Sequence, residues 1–145
     1  MKLKSILSSL IVICALSAQG VFAQAVFPDL TVPGIYAEIS GNRVNLIYFN
    51  GGYTKTVQNC GVNTAVHRLY LIRDGVVVSQ SDSGNRHGPI TLLSGYYYMK
   101  NGYYYCGKNA YFNAPDINQH VWHGRYEVVP SASQPPFKKE AQIYP

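Results

Sequence analysis

Residues 95–107 read Gly-Tyr-Tyr-Tyr-Met-Lys-Asn-Gly-Tyr-Tyr-Tyr-Cys-Gly. Asn101-Gly102 at their centre is a strong hairpin signal, because a type I′ turn needs positive φ at both central residues and Asn and Gly tolerate it best. Tyrosine is a good strand residue, so the two aromatic runs predict the two arms. A two-residue turn pairs Lys100 with Tyr103, Met99 with Tyr104, Tyr98 with Tyr105 and Tyr97 with Cys106. Side chains alternate faces along a strand. One face then carries Tyr97, Met99, Tyr104 and Cys106, and the other carries Tyr96, Tyr98, Lys100, Tyr103 and Tyr105. If Cys106 marks the core, the second set is an exposed aromatic plate bearing one cation. On that reading Tyr103 and Tyr105 can be truncated at little cost to stability, whereas Tyr104 cannot.

Outward from the hairpin, turn clusters separate short β-branched and aromatic runs. Residues 35–39 and 44–49 are strand candidates around Ser40-Gly41-Asn42, and Asn50-Gly51-Gly52 turns again before residues 53–58. Asp74-Gly75 is a second I′-type signal between residues 63–73 and Val76-Val77-Val78. Residues 63–73 also fit a helix capped by Asn63, but the turn that follows favours a strand. Residues 79–88 read as a polar loop, 89–93 as a short strand entering the hairpin, and 120–129 as an alternating strand. The pattern predicts an all-β chain, an antiparallel β-sandwich.

Residues 1–23 have the form of a secretory signal peptide. Lys2 and Lys4 precede an apolar stretch at 6–16, and Val21-Phe22-Ala23 is a small-residue cleavage site. The apolar stretch is shorter than the ~20 residues a membrane-spanning helix needs. Residues 24–34, with two prolines, read as an irregular lead-in, 35–129 as the sandwich domain, and the Pro-rich 130–145 as a flexible tail. Cleavage would remove Cys14, leaving Cys60 and Cys106, which in an exported chain are expected to pair. It would also remove two of the twelve Lys and Arg, leaving ten against seven Asp and Glu. That charge, without a basic cluster, does not point to nucleic acid.

Catalytic signatures are sparse. There is no close carboxylate pair, phosphate loop or nucleophile motif, and no cofactor site is expected. His120 and His123 fall on opposite faces of a strand, which disfavours a shared metal. Tyrosine offers large amphipathic contact area at low entropic cost. Tyr96, Tyr98, Lys100, Tyr103 and Tyr105 are therefore the candidate binding residues, with a protein partner as the first expectation. A flat tyrosine plate can also stack on sugar rings, so a carbohydrate ligand is a second reading. The oligomeric state is not determined.

Two resemblances bear on this. Residues 102–106, Gly-Tyr-Tyr-Tyr-Cys, resemble the Gly-x-Tyr-x-Cys of the sixth strand of immunoglobulin-like domains, and residues 71–75 resemble that family's central strand and following turn. The resemblance implies a tyrosine corner at Tyr104 and an inter-sheet Cys60–Cys106 bond. It departs from the pattern at Leu71, which stands where the core Trp belongs, and at the tight Asn101-Gly102 turn. Pro89-Ile90, Ser94-Gly95, Tyr111-Phe112-Asn113 and His123 are similar to successive strand motifs of small secreted fungal ribonucleases and RNase-like effectors. His87 stands where that family carries a catalytic Glu, Asn109 near its Arg, and His123 at its general acid. This second resemblance implies an α+β fold, and either a scaffold without catalytic residues or an enzyme using His87 and His123. Together with the export signal, these features suggest a secreted, disulfide-closed binding protein acting on a host or extracellular protein, as pathogen effectors and virulence factors do.

Overall fold

The computed structural model describes residues 27–56, 60, 66–81, 87–129 and 136–145. The signal-peptide segment lies outside these residues, as do residues 82–86, 130–135 and, apart from Cys60, 57–65. The described strands are β1 (Gly34–Ser40), β2 (Arg43–Thr54), β3 (His67–Arg73), β4 (Val76–Ser81), β5 (Gly88–Pro89), β6 (Met99–Lys100), β7 (Tyr103–Asn113), β8 (Trp122–Val128) and β9 (Phe137–Tyr144). They form two antiparallel sheets. Sheet A runs β1-β2-β7-β5, with β6 also on β7, and sheet B runs β4-β3-β8-β9. The one helical element described is a 3-10 turn at Ile117–Gln119. None is long and apolar enough to cross a membrane.

Both I′-type turns form where the sequence signals them. Asp74 and Gly75 have φ of 49° and 83°, and Asn101 and Gly102 have 55° and 79°. The first joins β3 to β4, so the described part of the 63–73 segment is strand, not helix. The second pairs Met99 with Tyr104 and Lys100 with Tyr103, in the register a two-residue turn imposes. This turn links neighbours within one sheet and does not cross between sheets. Cys60 and Cys106 form a disulfide, but not the strand-to-strand bond between sheets that the immunoglobulin-like resemblance implies, since Cys60 lies in the connection from β2 to β3 and Cys106 in β7 of sheet A. Closing a loop of that sequence separation, 46 residues, stabilises the fold by about 4 kcal/mol on the chain-entropy model.

The main core lies between the sheets. Val44, Leu46 and Tyr48 of β2 and Phe112 of β7 meet Leu69 and Leu71 of β3 and Trp122, Tyr126 and Val128 of β8. Gly124 permits this approach, since a Cβ there would stand 2.2 Å from Leu46 Cδ1. Sheet A is buried on its other face too. Leu30, Ile47, Phe49, Ile90 and Tyr105 form a second cluster there, with Tyr36 and Tyr98 against it. Six consecutive β2 residues, Val44 to Phe49, are consequently buried.

Three expectations change. Asn50-Gly51-Gly52 does not turn the chain, because β2 continues through it to Thr54 and stays on β7, with only a register shift between Phe49 and Tyr53. The flexible-tail reading of 130–145 fails at Phe137–Tyr144, which pairs along the whole of β8. There Ile143 and Tyr144 reach the main core, and Arg125 Nε donates to Glu140 Oε1 at 2.8 Å. The prolines at 130, 135 and 136 precede this strand and do not interrupt it. The short strand expected at 89–93 reduces to Gly88–Pro89. Beyond it the chain makes a compact loop whose single bridge is Thr91 to Tyr97.

Candidate functional site

The loop at 90–98 is held on sheet A by side chains that bind its backbone. Glu38 Oε1 accepts from Leu93 N (2.7 Å) and from Asn45 Nδ2 (2.9 Å), and Asn45 Nδ2 also donates to the Thr91 carbonyl (2.8 Å). Thr91 N donates to Asn109 Oδ1 (3.1 Å), and the Tyr111 hydroxyl donates to the Leu92 carbonyl (3.0 Å). Strands β1, β2 and β7 thus each contribute a polar hook. The chain then returns so that Tyr98 N donates to the Ile90 carbonyl (2.8 Å) and Tyr105 N to the Tyr98 carbonyl (3.1 Å). Tyr98 stacks edge-on against Tyr105, with ring centroids 5.0 Å apart.

This arrangement overturns the face assignment while keeping the register. Tyr105 is 1% exposed and belongs to the second core cluster. Met99 and Tyr97, expected to be buried beside Cys106, are 49% and 40% exposed. Tyr104 is half-buried, edge-on to Tyr97 at 5.3 Å. Cys106 is indeed buried, but so is its neighbour Tyr105, because the lead-in at 27–33 and the 90–98 loop cover the outer face. Burial of Cys106 therefore did not identify the single covered face. Of the five candidate binding residues, Tyr96 and Lys100 are exposed and Tyr103 is so at 38%, Tyr98 is half-buried, and Tyr105 is core.

Between the lead-in and the hairpin lie two adjoining clefts. One, of ≈530 Å³, is lined by Leu30, Thr31, Tyr53, Asn101 and Tyr103. The other, of ≈360 Å³, is lined by Phe27, Asp29, Leu92, Tyr97, Tyr98 and Met99. Lys100 and Tyr105 line both. Lys100 Nζ lies 3.6 Å from Asp29 Oδ1, in an ion pair open to solvent on both sides. Lys55 Nζ sits over the Tyr103 ring, 5.4 Å from its centroid. Burial raises the pKa of the Tyr98 and Tyr105 hydroxyls, keeping them protonated. The sequence reading missed Phe27, Asp29 and Tyr53. Nothing local marks them, since they reach the site through the packing of the lead-in and the path of β2.

A second polar group lies between the sheets. Tyr48 and Tyr126 stack face to face at 3.7 Å. The Tyr126 hydroxyl is hydrogen-bonded to His67 Nδ1 and lies 2.9 Å from His87 Nε2. His87 Nδ1 is 2.9 Å from Asn50 Nδ2, and Asn50 Oδ1 accepts from Gly52 N at 2.7 Å. His87 is held down to about 4 by burial, with His67 and Lys108 adding to the effect. Burial and then Lys108 lower His67, and burial alone lowers Lys108. His123 is on the opposite face of β8 from Tyr126, so His87 and His123 do not converge. No group of three or more His, Cys, Asp or Glu among the described residues is placed to hold a metal ion. No family model, curated protein or solved structure matches this chain.

Proposed function

We propose that this chain is an exported, non-enzymatic binding module that grips an extended acidic stretch of a host or extracellular protein in the groove between its lead-in and its tyrosine hairpin. The observation that carries this reading is the lining: Phe27, Tyr53, Tyr97, Tyr98 and Tyr103 line the two clefts together with the Lys100 ammonium. Aromatic side chains that pair an apolar face with a polar tip dominate binding hot spots. The two clefts fall within the volume range of ligand sites. Lys100 and Lys55 against one carboxylate, Asp29, favour an anionic partner. The immunoglobulin-like likeness enters only as architecture, a pair of antiparallel sheets that presents loops. An effector role is the working hypothesis for such a module.

Selection of short random peptides on the purified protein tests the reading. Enriched sequences should carry Asp or Glu, and Tyr103→Ala and Lys100→Ala should each weaken them by about 1 kcal/mol or more. Binders indifferent to both substitutions, or no enrichment at all, would overturn it. Hits on a glycan array that depend on Tyr53 and Tyr103 would move the assignment to a carbohydrate ligand. RNA cleavage that survives purification and is lost with His87→Gln would make the chain an enzyme.

A further inference from the structure

We propose that His87 is an acid-sensitive pin that fastens the base of the hairpin-bearing loop to sheet B, so that acidification loosens the loop and the groove it walls. The effect on the groove rests on the binding reading above, whereas the pin does not. His87 occupies the position immediately before β5, and the chain from there runs directly into the 90–98 loop. It joins the start of that chain to Tyr126 of β8 and His67 of β3, in sheet B. Asn50 and Tyr48 face it from β2, His67 from β3, Lys108 from β7 and Tyr126 from β8. The titratable groups among these are the two tyrosines, His67 and Lys108, with no carboxylate among the described groups to favour an imidazolium.

The hydrogen-bond directions follow from one backbone group. Gly52 N–H must have an acceptor at 2.7 Å, so Asn50 presents Oδ1 to it and Nδ2 to His87. His87 Nδ1 is then the acceptor and its Nε2–H donates to the Tyr126 oxygen. Tyr126 O–H in turn donates to His67 Nδ1. Every member is neutral. Adding a proton to His87 Nδ1 sets N–H against the Asn50 amide N–H. Flipping Asn50 removes that conflict only by setting its amide against Gly52 N–H. One bond of the chain is lost either way, and the new charge faces Lys108 and His67. The loop then lacks its fastening to Tyr126 and Asn50.

The sign of the pH effect is set by the depressed histidine. The closed form binds the proton near pH 4 and the opened form near the ordinary 6.5, so protection is full above about 6.5 and is lost as the pH falls toward 4. Hydrogen exchange at the Ile90, Leu92 and Tyr98 amides, which donate within this loop and to β7, reads the opening directly. After correction for intrinsic rates, their protection should fall by at least about ten-fold between pH 6.5 and 4.5, while amides pairing β3 with β8 keep theirs. His87→Gln, which can still accept from Asn50 and donate to Tyr126, should flatten the dependence, and His123→Gln should not. If the Gln variant fails to fold, the His87 Hε1 resonance of the unaltered protein decides. Its titration must stay depressed and coincide with the loss of protection. Titration near 6.5, or protection that is pH-independent in the unaltered protein, overturns the pin. Because exchange is measured without any ligand, that failure leaves the binding reading standing. A confirmed pin with no peptide binding would remove only the binding reading.

Discussion

The two faces of sheet A are both buried, by different means. On the inner face Val44, Leu46 and Phe112 meet a second sheet, and interdigitating apolar side chains do the work. On the outer face Ile47, Phe49 and Tyr105 meet irregular chain, whose backbone amides and carbonyls must be satisfied by something other than strand pairing. Glu38, Asn45, Asn109 and Tyr111 supply those partners. The inner face requires only apolar alternation. The outer requires apolar residues and a set of polar hooks among them. That mixed requirement makes the outer face resemble a solvent-facing surface in one dimension.

The largest effects test whether the two layers are equally committed. Tyr105→Ala and Trp122→Ala should each cost about 3–5 kcal/mol by chemical denaturation, as aromatic core truncations do. A Tyr105→Ala cost under about 1 kcal/mol would mean that the outer layer merely drapes over the sheet. The polar hooks come next. Glu38→Ala leaves Leu93 N and Asn45 Nδ2 short of an acceptor in a fully buried site, and should cost about 1–3 kcal/mol, with Glu38→Gln recovering most of it. No recovery would show that the carboxylate is needed for more than its acceptor oxygen.

Smaller effects separate the groove from the layer beneath it. Asp29→Asn breaks a solvent-exposed ion pair and should change stability by no more than about 1 kcal/mol. Met99→Ala should fall within about 0.5 kcal/mol, as an exposed position does. A large loss there would restore the original face assignment. The smallest effect concerns Asp74, whose carboxylate accepts from Val121 N (2.9 Å) and His120 Nδ1 (2.6 Å). The Val121 amide first, and His120 next, hold its pKa below the ordinary value. Its contribution is present above the usual 3.8 and is lost as the pH falls below that. Asp74→Asn should therefore cost a little stability above the usual 3.8 and nothing at the acid end, so that the two stability profiles converge only below the window in which His87 acts.

Much of the local structure was legible in the residues alone. Asn101-Gly102 and Asp74-Gly75 announced both tight hairpins, because positive φ at two successive positions is a local steric demand that few residue pairs meet. The Met99–Tyr104 and Lys100–Tyr103 pairs followed from the turn length. The cysteine pairing followed from having two cysteines after the expected cleavage. The chain also held a clue that was not used. Residues 44–49, Val-Asn-Leu-Ile-Tyr-Phe, are apolar at both parities, as a strand covered on both sides must be.

Tertiary structure alone decided the rest. Alternation divides a strand into two sets of side chains, but which set is buried depends on what chain lies over each face, and that chain can come from anywhere in the sequence. The lead-in and the 90–98 loop supplied the cover that turned Tyr105 inward and left Met99 out. The last strand escaped notice because its prolines set the composition of the whole tail, whereas pairing with β8 depends only on the eight residues after them. His67, His87 and Tyr126 are separated by up to 59 residues and carry no shared motif. Their meeting is a property of two sheets in register, which no local reading of the chain contains.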